Sequence, residues 1–375
     1  MKSTSAAFKI ACAVAAVLAI AGIAAWIHQL SQGLAVTDMS NGTSWGLYIT
    51  NFMFFVGRSA GGLIVASSAS VFHIAEYKKV ALPAVIVSTV CIVLAAMFVL
   101  IDLGGIQRIL NLFIHPNFAS PLLWDVVVIT LYLVIDIIYL AWLAKGEEKA
   151  HAVEVLGRVA LPVAILVHSI TAWIFGLQIA RDGWYSAIMA PLFIVSAMDS
   201  GLALLLLSLL GLDKVGWFKT DRKLIASLAG LLCTIVAIDA FMIACEVLTM
   251  AYPGADGAAA LAIMTSGATA PLFWIEVVAG LVIPFLVLVF AKNREKGTLV
   301  AIASALVIIG VFCKRAWLLI TSFAGAEVPT TIGTLGGAGT WAGYFPTFVE
   351  WVIVIGVIAL CVLAFLLLSR RLLKK

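Results

Sequence analysis

The chain has 375 residues, 64% of them hydrophobic and only 11% charged, where a soluble domain of this size carries roughly 25% charged residues. One soluble core cannot hide that apolar surplus, so lipid must take it up. The formal net charge of +4 then reports where basic residues sit relative to a membrane, not an acidic partner, and nothing points to nucleic acid.

The first segment needs separating from a signal peptide. Lys2 and Lys9 precede an apolar run from Ile10 to Ile27, but the run is long for that purpose. It ends in Trp26, His28 and Gln29 instead of a small-residue cleavage site. It is expected to be a retained helix. Apolar runs predict about ten transmembrane helices: roughly 8–28, 45–72, 80–101, 121–144, 157–180, 185–210, 223–250, 271–291, 298–322 and 346–369. Each reaches the ~20 residues that cross the hydrocarbon core. The whole of 1–375 reads as a single integral membrane domain with short loops and no linker or low-complexity tail.

Basic residues fix an expected orientation. One set of loops carries Lys78, Lys79, Lys145, Lys149, Arg158, Lys214, Lys219, Arg222, Lys223, Lys292, Arg294 and Lys296, and the termini add Lys2, Lys9, Arg370, Arg371, Lys374 and Lys375. The opposite loops carry only Arg108 and Arg181. Both termini are therefore expected in the cytoplasm, in a cell (inner) membrane. The outer segments 29–44, 102–120, 251–270 and 323–345 are longer than simple turns and nearly free of basic charge. The last holds Gly333, Gly336, Gly337 and Gly339. Such loops either connect helices or dock an extracytoplasmic partner.

A weak internal repeat is present. Pro121-Leu122-Leu123-Trp124-Asp125 recurs as Pro271-Leu272-Phe273-Trp274-Ile275-Glu276, and His28 followed by Trp45 echoes His168 followed by Trp184. The offset spans four helices, an even number, so the copies run parallel. The expected fold is an all-α polytopic membrane protein of two four-helix bundles plus two peripheral helices.

Ionisable side chains inside a bilayer are costly and are functional candidates by default. Counting from helix ends puts Asp102 at the outer surface, Asp125 one turn inside, and Asp136, His168, Asp199 and Arg58 near mid-membrane. Asp239, Glu246, Glu276, Lys314, Arg315 and Glu350 fall in the outer half. Lys314 and Arg315 are available to neutralise Glu276 or Glu350, because an unpaired buried charge is costly. The crowding of charge toward one side suits a site that handles protons and a polar headgroup. No metal site is expected: Cys12, Cys91, Cys233, Cys245, Cys313 and Cys361 are scattered through apolar runs without a C-x-x-C pair, so they ligate neither an iron–sulfur cluster nor zinc. A bis-histidine haem needs two deep histidines. His28, His73, His115 and His151 lie at the edges, so no haem is expected, and no flavin signature is present.

Particular stretches resemble a known family: Trp45-Gly46-Leu47-Tyr48 through Gly61-Gly62, Asp102-Leu103-Gly104, Ser120-Pro121-Leu122-Leu123-Trp124-Asp125 with Tyr132, His168-Ser169 with Trp173, Trp274 with Glu276 and Pro284, Lys314-Arg315, and Tyr344-Phe345-Pro346-Thr347 with Glu350 and Gly356. Their order is similar to the NrfD/polysulfide reductase membrane-subunit family. The likeness is to its longer, ten-helix branch, which includes hydrogenase-2-type, DsrP-like and alternative complex III membrane subunits.

The resemblance implies a quinone-reactive anchor of a respiratory oxidoreductase complex, as in anaerobic respiration. A quinone (menaquinone or ubiquinone) would be its diffusible ligand. Its partners would be an extracytoplasmic ferredoxin-like iron–sulfur subunit and a catalytic subunit with molybdopterin or cytochrome. By matched position, Asp102, Asp125 and His168 would line the quinone site or its proton exit, with Trp124, Tyr132 and Trp173 beside it. Glu276, Arg315 and Glu350 would form the matching cluster of the second bundle, and Asp136 and Asp199 a deeper proton path. One departure is that Gly105-Ile106 replaces the family's Arg-Pro after Asp-Leu-Gly, leaving Arg108 as the nearest base. A secondary transporter or a passive anchor remains an alternative reading of the same helices.

Overall fold

The computed structural model describes residues 6–72, 74–179, 181, 183–252, 255–324 and 343–374. His73 and most of the glycine-rich segment 323–345 lie outside the described residues. In hydrocarbon every backbone N–H and C=O must find a partner within its own element, which leaves the helix as the only local solution for these apolar runs. Among the described residues, ten helices are long and apolar enough to cross a membrane. They are α1 (Ala6–Gln32), α2 (Leu47–Val71), α3 (Ala81–Asp102), α4 (Pro121–Ala144), α5 (Ala150–Gly176), α6 (Met189–Lys214), α7 (Arg222–Ala251), α8 (Ala270–Leu288), α9 (Gly297–Ala324) and α10 (Phe348–Leu373).

The sequence sets several of the boundaries. Pro121 opens α4, where its missing N–H costs nothing. Asp221 caps α7 by accepting from Lys223 N at 3.1 Å. Thr347 and Glu350 form a reciprocal capping box on α10. The fifth span departs most from expectation: α5 begins at Ala150, not near 157, and ends at Gly176, not 180. Its extra first turns are polar but helix-forming, and the Glu154–Arg158 pair at 2.7 Å braces them outside the apolar stretch.

Helices α2 to α5 pack in a ring, each on the next and α5 back on α2, and α6 to α9 form a second ring in the same order. Helix α2 is buried on nearly every side and joins the rings by packing on α6 and α9. Helices α1 and α10 pair outside, and α10 rests on α3. This is the expected pair of four-helix bundles with two peripheral helices. Helix association in lipid depends on close packing of small residues. At the junction Gly61 of α2 meets Gly201 of α6 so closely that a Cβ built on Gly61 would lie 2.3 Å from the Gly201 Cα.

The repeat is visible in side-chain detail. Trp124 Nε1 donates to Phe118 O at 2.9 Å, and Trp274 Nε1 donates to Thr265 O at 2.9 Å. Trp45 and Trp184, the first aromatic of each copy, stack on one another with centroids 6.1 Å apart. The copies differ in α8, where Ile275–Val282 is π-helical. Such a segment breaks the regular ladder and often sits at functional positions; here it carries Glu276.

Candidate functional site

At the face opposite the lysine-rich loops, α2 to α5 enclose a cavity of about 540 Å³, within the range of small-molecule sites. Its walls are apolar and aromatic: Trp45 just before α2, Ile49 and Phe52 from α2, Val99 from α3, Leu122 and Ile129 from α4, Ile174 and Phe175 from α5. Against them stand Asp102, Asp125, Arg108 and His115. Asp102 closes α3, and Asp125 lies four residues into α4, about 6 Å along its axis. Arg108 and His115 come from the short helical connection between α3 and α4.

Asp125 is buried, and its Oδ1 accepts a 2.6 Å hydrogen bond from Thr171 Oγ1 of α5. Asp102 has a buried Oδ1 with no protein partner, a costly arrangement that a ligand donor would relieve. Arg108 and His115 are exposed at the mouth, with Arg108 Nη1 3.4 Å from Leu103 O.

Other sequence-derived candidates sit elsewhere. His168 does not line this cavity. It lies deeper on α5, buried, with Nδ1 2.7 Å from Ala164 O and Nε2 3.2 Å from Val56 O. Depth alone puts it beside Asp125; the turn of α5 points it at α2 instead. Trp124 and Trp173 are part-exposed outside the cavity, at 45% and 42%, as interfacial tryptophans are. Tyr132 and Asp136 form a buried cluster below it. Ser59 Oγ donates to Tyr132 OH at 2.9 Å, Ser88 Oγ lies 3.0 Å from the same hydroxyl, and Ser88 Oγ donates to Asp136 Oδ2 at 2.6 Å. Asp125, Tyr132, Asp136 and Tyr139 recur at helical spacing along one buried face of α4.

In the second bundle, Lys314 Nζ lies 2.8 Å from Asp239 Oδ1 and 3.7 Å from Glu276 Oε1, and Trp317 Nε1 donates to Glu276 Oε2. Asp199 is buried nearby with neither oxygen hydrogen-bonded. Arg315 Nη2 donates to Ser196 Oγ at 2.6 Å, its guanidinium 3.9 Å above the Phe193 ring. His168 thus reaches Val56 of α2 and Arg315 reaches Ser196 of α6, the first helix of each bundle.

Glu350 belongs to neither bundle. It accepts from Tyr344 OH at 2.5 Å, Asp38 N at 3.1 Å and Thr347 N at 2.9 Å, clamping the loops around α1 and α10. Tyr344 lies outside the spans, and burial, then the Glu350 charge, push its phenol above the usual tyrosine range. Glu276, Arg315 and Glu350 thus do not share one cluster. The residues that sequence reasoning left without a site role are His115 and Thr171. Only the fold brings the α3–α4 connection, which carries His115, over the cavity.

Among the described residues no group of three His, Cys, Asp or Glu side chains converges as a metal site. A multi-pass helical membrane protein with a carboxylate-bearing cavity near one surface is the class these features define. The chain belongs to the NrfD family: the polysulphide reductase, NrfD model matches residues 35–326. It is 33% identical to a Halobacterium salinarum protein described as a dimethyl sulfoxide reductase membrane subunit, covering 92% of this chain and 87% of that protein. It is 30% identical to the Hdr-like menaquinol oxidoreductase integral membrane subunit of Archaeoglobus fulgidus, over 92% and 89%. It is 23% identical to an Escherichia coli protein described as a Ni/Fe-hydrogenase 2 b-type cytochrome subunit, over 92% and 87%.

Proposed function

We propose that this chain is the quinone-reactive membrane subunit of a multi-subunit oxidoreductase, with the headgroup bound in the cavity between Asp102 and Asp125. The observation that carries this reading is the cavity itself: apolar and aromatic walls for a ring and its tail, with two carboxylates at the depth of the headgroup. A menaquinol oxidoreductase subunit among the relatives agrees with it.

Interconversion of quinol and quinone moves two electrons and two protons. Carboxylates and an imidazole within hydrogen-bond reach of the hydroxyls exchange the protons. Asp125, steadied by Thr171, serves the buried side. Asp102 serves the headgroup from the end of α3, and Arg108 and His115, both exposed, serve the mouth, where water reaches them. The polar face of α4 through Tyr132, Ser88 and Asp136 gives a deeper route for protons. The electrons pass to a ferredoxin-like iron–sulfur subunit docked on the segments 102–120 and 251–270, with a catalytic subunit beyond it. The lysine-rich loops and both termini face the cytoplasm.

The E. coli relative is described as a b-type cytochrome subunit, but this chain does not suit a bis-histidine haem. Both ring nitrogens of His168 lie against backbone carbonyls, and the other described histidines, His28, His115 and His151, are exposed.

A photoreactive quinone analogue tests the binding site. It should label peptides of α3, α4 and their connection, and excess native quinone should suppress the labelling. Labelling confined to α6 to α9 would contradict the proposal.

A further inference from the structure

The first bundle has a second cavity, at its lysine-rich end, that quinone chemistry does not use. It measures about 510 Å³. Small side chains make the space: Ala66 and Ala69 from α2, Ala81 from α3, and Ala150 from α5. Its mouth carries Lys78 and Lys79, both exposed, where the short helix Ala75–Lys78 leads into α3. Its inner wall carries the buried Ser70 and Tyr139. Their hydroxyls converge beside Gly157, where a Cβ would stand 2.9 Å from Ser70 Oγ and 3.0 Å from Tyr139 OH. Glu154 also lines the cavity, but Arg158 holds it at 2.7 Å and offsets its charge.

We propose that this cavity binds the headgroup of an anionic phospholipid, with Lys78 and Lys79 on the phosphate and the Ser70 hydroxyl facing its glycerol oxygens beside Tyr139, whose own hydroxyl donates to Ala66 O at 3.4 Å. The proposal rests on charge and depth. The site opens where lipid headgroups lie, at the ends of four spanning helices, and offers two ammonium groups over an apolar lining. Basic pockets between helices on such a face suit acidic lipids.

The internal repeat supplies a comparison. The corresponding end of the second bundle also has a cavity, about 300 Å³, whose charged walls are Asp213, Arg222 and Glu295. Two carboxylates there disfavour an anion. The lysine pair is therefore particular to the first cavity and not a general property of this face.

The test uses the full chain purified in detergent, in its complex where partners co-purify. Thermal unfolding is followed in micelles titrated with phosphatidylglycerol, with phosphatidylcholine, or with inorganic phosphate alone. Phosphatidylglycerol should stabilise the wild-type chain and the comparison variant Lys214→Gln/Lys219→Gln, and phosphatidylcholine should not. In Lys78→Gln/Lys79→Gln the affinity for phosphatidylglycerol should fall roughly 30-fold, the loss that two surface lysine contacts with acidic lipid represent. An unchanged response in that variant, or an equal loss in both variants, would overturn the site. Equal stabilisation by inorganic phosphate would overturn the lipid as its occupant.

Discussion

Thr171 Oγ1 donates a 2.6 Å hydrogen bond to Asp125 Oδ1, so the carboxylate that α4 brings to the cavity is held from α5. The two helices thereby fix one wall of the site together. A hydrogen bond to a charged group contributes about 1.5–3 kcal/mol. Thr171→Val keeps the shape and removes the donor. It should lower quinone-dependent turnover on the order of 10-fold while leaving the subunits assembled. Steady-state rates on the purified complex read this out, and unchanged rates would separate Thr171 from the reaction.

Lys314 balances two carboxylates in the second bundle, Asp239 at 2.8 Å and Glu276 at 3.7 Å. Removing one partner of a buried pair costs about 3–5 kcal/mol because it strands the other charge. Lys314→Met should therefore lower the unfolding midpoint in detergent sharply. Lys314→Met with Asp239→Asn should lose less than the sum of the single variants, since the two side chains are in contact. Additive losses would contradict the pairing.

The junction of the bundles is sterically closed at Gly61 and Gly201. Gly61→Leu should abolish a monodisperse peak in size-exclusion chromatography. Gly211→Ala lies on the same α6, but a Cβ there would meet nothing within 4 Å, so this variant should elute as the unaltered chain does. Equal tolerance at both positions would show that the helices separate more easily than this packing allows.

The spans are legible because membrane crossing needs long uninterrupted apolar runs, which composition alone displays. The start of helix α5 escapes because Ala150 to Glu154 is helical without being apolar. For the site, sequence supplies depth but not direction. Asp125 and His168 lie on neighbouring helices in the same bundle, yet a helix turns about 100° per residue, and only the neighbours decide which wall a side chain meets. Lys314 against Glu276 follows from the cost of buried charge. The clamp from Glu350 to Asp38 and Tyr344 does not, because it joins segments from opposite ends of the chain.

The lysines and arginines, which cluster on the loops at one end of the bundles, predict an orientation with that end in the cytoplasm. An alkaline phosphatase fused after Lys375 should be inactive, and a fluorescent reporter there should glow. The same phosphatase inserted between Phe118 and Pro121 should be active. The reverse pattern would invert the chain and place the carboxylate cavity at the cytoplasmic surface.

The central claim is that Asp125 handles protons of a bound quinone, and Asp125→Asn in the assembled complex tests it most directly. The substitution keeps size and an acceptor for Thr171 but cannot take up a proton. The variant should retain its partner subunits and its activity with an artificial electron carrier at the catalytic subunit, while quinone-dependent turnover falls at least ~100-fold, the lower range for losing a general base. Full quinone-dependent turnover in Asp125→Asn would contradict the account.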